Sequence, residues 1–172
     1  HTPRRRQRQM CIRDRFRRIL QSQGCEVIHL GHDRGADEVA RAAIQEDAHA
    51  VAITSYQGGA VEMFTHTKEI LQKKGFEHVF LFGGGGGTIL PKEIEHLKEQ
   101  GISKIYSPDD GRDLGLVGMV RDAMTSASGT DLLAESRFDQ ITDQVDADDH
   151  AAVSLLLTMA ENSPPDQFSD KL

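Results

Sequence analysis

Two periods alternate along this chain. Short apolar runs of β type recur at Cys25–Leu30, Ala50–Thr54, Val79–Phe82 and Ile102–Tyr106, and longer stretches between them carry apolar residues every three to four positions. The spacing predicts helices over Phe16–Gln23, Ala36–Asp47, Val61–Lys74, Pro91 to Gly101 and Leu114–Met124. Their expected inward faces include Phe16, Ile19 and Leu20; Val39, Ala43 and Ile44; Met63 or Phe64 with Ile70 and Leu71; and Ile94 with Leu97. Gly24, Gly75 and Gly101 are the stops. Ala50–Thr54 (AVAIT) is apolar almost throughout, which predicts a strand buried on both faces. Strand and helix alternate with short connections, so the expected class is α/β: a doubly wound parallel sheet. Right-handed crossovers place every strand exit on one edge.

Those exits are GHDRG (31–35), TSYQGG (54–59), GGGGGT (83–88) and SPDDGR (107–112). Ligands of such sheets lie outside the carboxyl ends of the strands, and glycine is kept where side chains must be absent. Five successive glycines, Gly83–Gly87, invite a phosphate reading, but specific residues fail it. A Walker A loop needs Lys and then Ser/Thr after its last glycine; here Thr88 and Ile89 follow, and the next lysine is Lys92. A dinucleotide fingerprint belongs to the first βα turn, and its third glycine position falls on Thr88. What survives is a glycine-lined edge against which a large, partly flat ligand can lie.

Composition narrows this further. Of 172 residues, 38% are hydrophobic and none is Trp, which suits a modest α/β core. No apolar run approaches the roughly 20 residues of a membrane span. Two cysteines, Cys11 and Cys25, form neither CxxC nor a bridge framework, which fits a reducing cytoplasm and argues against a thiolate metal site. The net charge of −7 conceals an asymmetry: residues 1–18 carry eight Arg and one acid, and the remainder carries twelve basic and twenty-six acidic residues. An Arg-rich arm is one reading of a nucleic-acid tail. The run RRRQRQMCIRDR lacks a hydrophobic period and resembles translated adapter sequence, so residues 1–15 are read as a non-native or disordered segment and no nucleic-acid partner is expected. Residues 16–127 form the expected domain. From Thr125 the composition shifts, and 128–172 read as a linker with weak helical patterns, one of them Ala151–Met159.

Catalytic constellations are weak. Asp33 beside His32 is placed to orient an imidazole, yet a solvated turn explains the pair as well. His29, inside an apolar run, reads as a core histidine. His66, His78 and His96 have no metal-ligand spacing. Asp109, Asp110 and Asp113 read as a turn capping a helix from Gly111. No Ser–His–Asp or Cys–His arrangement is legible.

Phe16 to Ser126, with EVIHLGHDRG, EVARAAIQEDAHAVAITSYQGG and FGGGGGTILPKEIEHLKEQGISKIYSPDDGR, resembles the cobalamin-binding domain of the acyl-CoA mutases. It is most similar to the fused isobutyryl-CoA mutase branch and more distantly similar to methylmalonyl-CoA mutase. The resemblance implies a flavodoxin-like fold, adenosylcobalamin as cofactor and a radical 1,2-rearrangement of an acyl-CoA. It also implies a parent chain with a GTPase chaperone domain and a CoA-binding barrel, homodimeric and cytoplasmic; this chain by itself is expected to be inactive. In the family the dimethylbenzimidazole tail lies in a slot, a histidine of Asp-x-His-x-x-Gly binds cobalt from below, and Ser-x-Leu and Gly-Gly motifs hold the tail.

By alignment the second motif falls on Thr54, Ser55 and Tyr56, followed by Gly58 and Gly59. The later glycine pair falls on Gly86 and Gly87, with Gly84, Pro108 and Asp109 completing the cofactor-binding set. Ala60 stands where relatives usually carry His. LGHDRG resembles the first motif with Leu30 in the Asp place, which makes His32 a candidate metal ligand. Register speaks against it: the family histidine follows the first strand, whereas GHDRG follows the second. No histidine lies between Thr2 and Gln23, so the axial ligand and the first strand are expected to be lost, and the domain destabilised. The alternative reading is a stand-alone cobalamin carrier or sensor.

Overall fold

The computed structural model describes residues 14–55, 58–129 and 150–162. Its elements are α1 (14–22), α2 (Ala36–Gln45), β1 (Ala50–Thr54), α3 (Ala60–Lys73), β2 (Phe80–Gly84), α4 (Pro91–Glu99), β3 (Lys104–Tyr106), α5 (Pro108–Asp113), α6 (Gly115–Ala127) and α7 (His150–Asn162). The three strands form a parallel sheet in the order β1-β2-β3. Sequential order with a helix in every crossover matches the last three strands of the flavodoxin arrangement. No helix among the described residues is long and apolar enough to cross a membrane.

Residues alternate between the two sheet faces. Val51, Ile53, Leu81 and Ile105 enter the main core with Ala40, Ala43 and Ile44 of α2, Phe64 and Leu71 of α3 and Leu97 of α4. Phe64, Leu71, Leu81 and Leu97 are fully buried, which assigns the inward position of α3 to Phe64, with Met63 packed at the margin. On the second face, Phe82 and Tyr106 meet Ala123 of α6, flanked by Phe16, Phe80, Ala50 and Met119.

Three expectations need correction. β1 is covered on one face only: Val51 and Ile53 are buried, but Ala52 and Thr54 are exposed. Among the described residues α1 reaches Phe82, with Phe16 and Phe82 ring centroids 6.3 Å apart, and on β1 only Ala50 packs at the margin of that cluster. Residues 25–30 form no strand, Ile28 is half exposed, and His29 is exposed rather than a core histidine. In the 2-1-3-4-5 order that run pairs only with the first strand, and the described sheet offers no such partner. Finally, SPDDGR is not a simple turn but a short helix, α5, from which α6 starts afresh at Gly115. Residues 1–13, which bear on the arm and the first strand, lie outside the described residues.

α7 packs against α2. Ala152, Ser154 and Leu155 are buried, and the Ser154 hydroxyl donates to the Ile44 carbonyl at 2.7 Å.

Candidate functional site

Because the strands are parallel, their exits share one edge. The register sets Thr54 opposite Gly84, and Gly84 opposite Tyr106. All three belong to the second face by alternation with Ala50, Phe80 and Phe82. The row therefore reads side chain, none, side chain. It is a trough floored by the Gly84 backbone, with exposed Thr54 on one flank and Tyr106 on the other. A Cβ at Gly84 would stand 2.8 Å from the Tyr106 carbonyl oxygen, so the position stays bare.

The glycine run divides into two kinds. Gly83 lies in the ladder, where a Cβ would collide with the Ile53 carbonyl and come within 2.8 Å of Phe64 Cζ. At Gly85 a Cβ would sit 2.5 Å from Thr88 Oγ1 and 2.7 Å from the Ser55 carbonyl. Backbone crowding accounts for these two. Gly86 (φ 57°) and Gly87 (φ 93°) are instead left-handed, and a Cβ at Gly87 would meet Pro108 Cγ at 3.5 Å. Those two shape the loop that leaves β2.

Hydrogen bonds tie the exits to one another. Ser55 N donates to the Gly84 carbonyl at 3.1 Å. Thr88 Oγ1 lies 2.7 Å from the Gly85 carbonyl and 3.1 Å from that of Ser55, its single O–H shared between them. Both main-chain groups of Ser55 are thus fixed. Gly58 precedes Gly59, which N-caps α3 at φ 90°. Tyr56 lies outside the described residues.

On the far side, Ser107 caps α5. Asp110 Oδ2 accepts from both the Ser107 hydroxyl and the Ser107 amide at 2.7 Å, and the Asp110 amide returns a bond to Ser107 Oγ at 3.2 Å. The hydroxyl and amide bonds from Ser107 hold the Asp110 carboxyl below its usual range. Its folded-state pKa is depressed, so its contribution is present above the ordinary Asp value near ~4 and is lost as pH falls through the folded pKa. Asp110→Ala should cost about 1 kcal/mol at neutral pH, with the difference from the parent closing in acid. Urea melts across pH check this; a difference independent of pH would refute it. Asp109 is paired with Arg112 at 2.9 Å, both exposed, beside Pro108.

His32 lies in the turn before α2, its Nδ1 2.7 Å from Asp33 Oδ2, with 73% and 89% of the two side chains exposed. Asp33 takes φ 56°, a left-handed conformation that a short acid tolerates. Glu38 anchors the same turn. Its carboxylate accepts from Gly35 N at 3.2 Å and from Arg34 at 3.1 Å, and those bonds lower its pKa. The described residues contain no group of three or more His, Cys, Asp or Glu side chains able to hold a metal.

Sequence reasoning missed Tyr106. Its hydroxyl donates to Asp122 Oδ2 at 2.7 Å and lies 3.1 Å from the Met119 carbonyl, and Lys104 Nζ is 3.7 Å from the same carboxylate oxygen. Burial first, then Asp122, push the phenol well above its ordinary pKa. The signal was available: in KIY the outer two residues share a face, and each needs a polar partner there.

The donor set, hydroxyls of Thr54 and Ser55 beside a side-chain-free floor and left-handed glycines, fits a flat aromatic base bearing a ring nitrogen and a linking chain. A parallel α/β sheet with this edge is the architecture of a corrinoid-binding domain. The B12 binding domain profile matches residues 16–110, and the chain belongs to that family.

The fused isobutyryl-CoA mutase of Cupriavidus metallidurans is 50% identical over 152 residues, covering 88% of this chain and 14% of that protein. The fused isobutyryl-CoA mutase of Paraburkholderia xenovorans is 57% identical over 107 residues, 62% of this chain and 8% of that protein. Methylmalonyl-CoA mutase of Escherichia coli is 30% identical over 101 residues, 45% and 14%. The chain spans no more than 14% of the length of these three relatives. It is a B12-binding domain, similar in sequence to those parts of the mutases.

Proposed function

We propose that this chain is the cofactor-holding part of an adenosylcobalamin-dependent mutase that interconverts isobutyryl-CoA and n-butyryl-CoA. The observation that carries the reading is the bare trough over Gly84, bordered by Thr54 and Ser55. One hydroxyl of Thr54 and Ser55 would donate to the ring nitrogen of the dimethylbenzimidazole tail, which has a single lone pair to accept with, and the other would keep the tail oriented. Tyr56 closes that motif. Gly58 and Gly59 on one side, and Gly86 and Gly87 on the other, let the linking chain pass close to backbone, while Pro108 and Asp109 border the far wall. When bound, the cofactor supplies the radical that starts the rearrangement; the protein positions and shields it.

His32 would not be the residue that holds cobalt. GHDRG stands one strand late in register, and residues 2–23 contain no histidine to replace it. The CoA-binding barrel and GTPase chaperone domain belong to the parent protein, a cytoplasmic homodimer, so this chain alone turns over no substrate. Identity to the Cupriavidus relative over 152 residues, against a family match that ends at residue 110, favours this reading over a separate carrier or sensor.

Titration with hydroxocobalamin, followed by absorbance, should show saturable uptake at one site. No uptake at millimolar cobalamin would sink the proposal.

A further inference from the structure

Among the described residues the three-stranded sheet ends in two unpaired edges, and they differ in kind. β3 is three residues long, carries Lys104 and leads within two residues into Pro108 and α5, the short and charged form that discourages a further strand. β1 is five residues long, and from residue 48 to residue 61 the chain holds no Asp, Glu, Lys, Arg or Pro. The ladder decides which groups its outer edge presents. The Phe80 amide donates to the His49 carbonyl at 2.9 Å and the Ser55 amide to the Gly84 carbonyl at 3.1 Å, so the odd-numbered residues of β1 bond to β2. The N–H and C=O groups of Ala50, Ala52 and Thr54 therefore point outward, where the described sheet has no strand. Residues 25–30 make no ladder there, and Ala52 and Thr54 are exposed. Such an edge is a template for another strand.

We propose that the outer edge of β1 is a surface for self-association, on which the same edge of a second copy of this chain pairs antiparallel about a two-fold axis at Ala52. A two-fold contact requires a surface that complements itself, and this edge does. With Ala52 opposite Ala52 of the second copy, Ala50 falls opposite Thr54 and Val51 opposite Ile53 of that copy. Residues 50, 52 and 54 then all stand in hydrogen-bonded pairs, so three amides from each copy make six bonds and leave no group of the edge over. The pairs between them set Val51 against Ile53, both residues of the main core, so that core continues from one sheet into the other. His49 is the only ionisable side chain in residues 49–55, and it falls opposite Ser55, so no like charges meet across the axis. The pairing is independent of the cofactor reading above.

The test follows the parent chain, Ala52→Lys and Ala52→Glu by sedimentation and by amide hydrogen exchange. An edge of five residues is small beside the ~1,200 Å² of a stable complex, so dimers are expected at ~0.1–1 mM. At those concentrations the amides of Ala50, Ala52 and Thr54 should gain protection that they lack at ~10 µM. Ala52 is exposed, so the monomer accommodates either substitution. Each substitution sets two like charges directly opposite across the axis and should weaken the dimer about fivefold. An equimolar mixture of the two variants should recover it. A parent chain that is monomeric at ~1 mM overturns the inference, as does a dimer that both substitutions leave intact or that the mixture does not restore. Protection of the three amides that does not depend on concentration assigns the edge to a segment of the same chain and also overturns it. Should neither variant fold, the concentration dependence of those amides in the parent decides the matter.

Discussion

Gly83→Ala is expected to cost about 3 kcal/mol, the upper part of the range for overfilling a packed site, and Gly83→Val to leave no folded domain. The added Cβ would meet the carbonyl of Ile53 and the ring of Phe64. Neither can give way: Ile53 is held in register opposite Gly83, and Phe64 is fully buried in the core. Gly87→Ala should cost only about 1 kcal/mol, since its sole close neighbour is Pro108 and its penalty is the left-handed φ. The binding consequences run the other way. Gly87→Ala should weaken cobalamin at little structural cost, while residual folded Gly83→Ala should bind normally. Urea melts paired with cobalamin titrations separate the two; equal stability of the two variants would refute the division of the glycine run.

The second large effect concerns cobalt. Replacing residues 1–13 by a β run ending in Asp-x-His-x-x-Gly is expected to tighten hydroxocobalamin binding by up to about 100-fold, the upper range for an oriented metal ligand. His32→Ala should change affinity by less than about twofold, since one exposed hydrogen bond is of small net worth, and should leave the absorption spectrum of the complex unaltered. The His32–Asp33 pair has the internal geometry of an oriented ligand, imidazole Nδ1 on a carboxylate. Its exposure and its place before α2, rather than before α1, are what argue against it. A spectrum that collapses in His32→Ala would assign the ligand to His32 and reverse the register argument.

Much of this was legible because its causes are local. Ala50–Thr54 reads as a strand from β-branched and small apolar residues and is one in the structure. The helices after it follow from apolar spacing and glycine stops. What misled was context. Cys25–Leu30 has strand composition, but a strand exists only with a partner, and the described sheet offers none. His29 was misplaced for the same reason. The apolar run of β1 implied cover on both faces, whereas Ala52 and Thr54 stand open; composition reports what a surface tolerates, not what lies on it. The glycines were read as one feature because sequence shows their number but not which meet backbone. The Tyr106–Asp122 bond spans sixteen positions and two elements, so the alternation in KIY signals that Tyr106 needs a polar partner but not which residue supplies it.

The bond from Ser154 to the Ile44 carbonyl joins positions 110 apart. In the time order of synthesis, α2, β1, β2, β3 and α6 are all complete before that hydroxyl has been made. Ile44 accepts from the Asp47 amide at 3.2 Å, so the carbonyl has a partner throughout that interval. The sheet and its helices can thus form on local contacts, which close fastest, before α7 is available to dock. That contact comes from a segment beyond residue 110, where the family match ends.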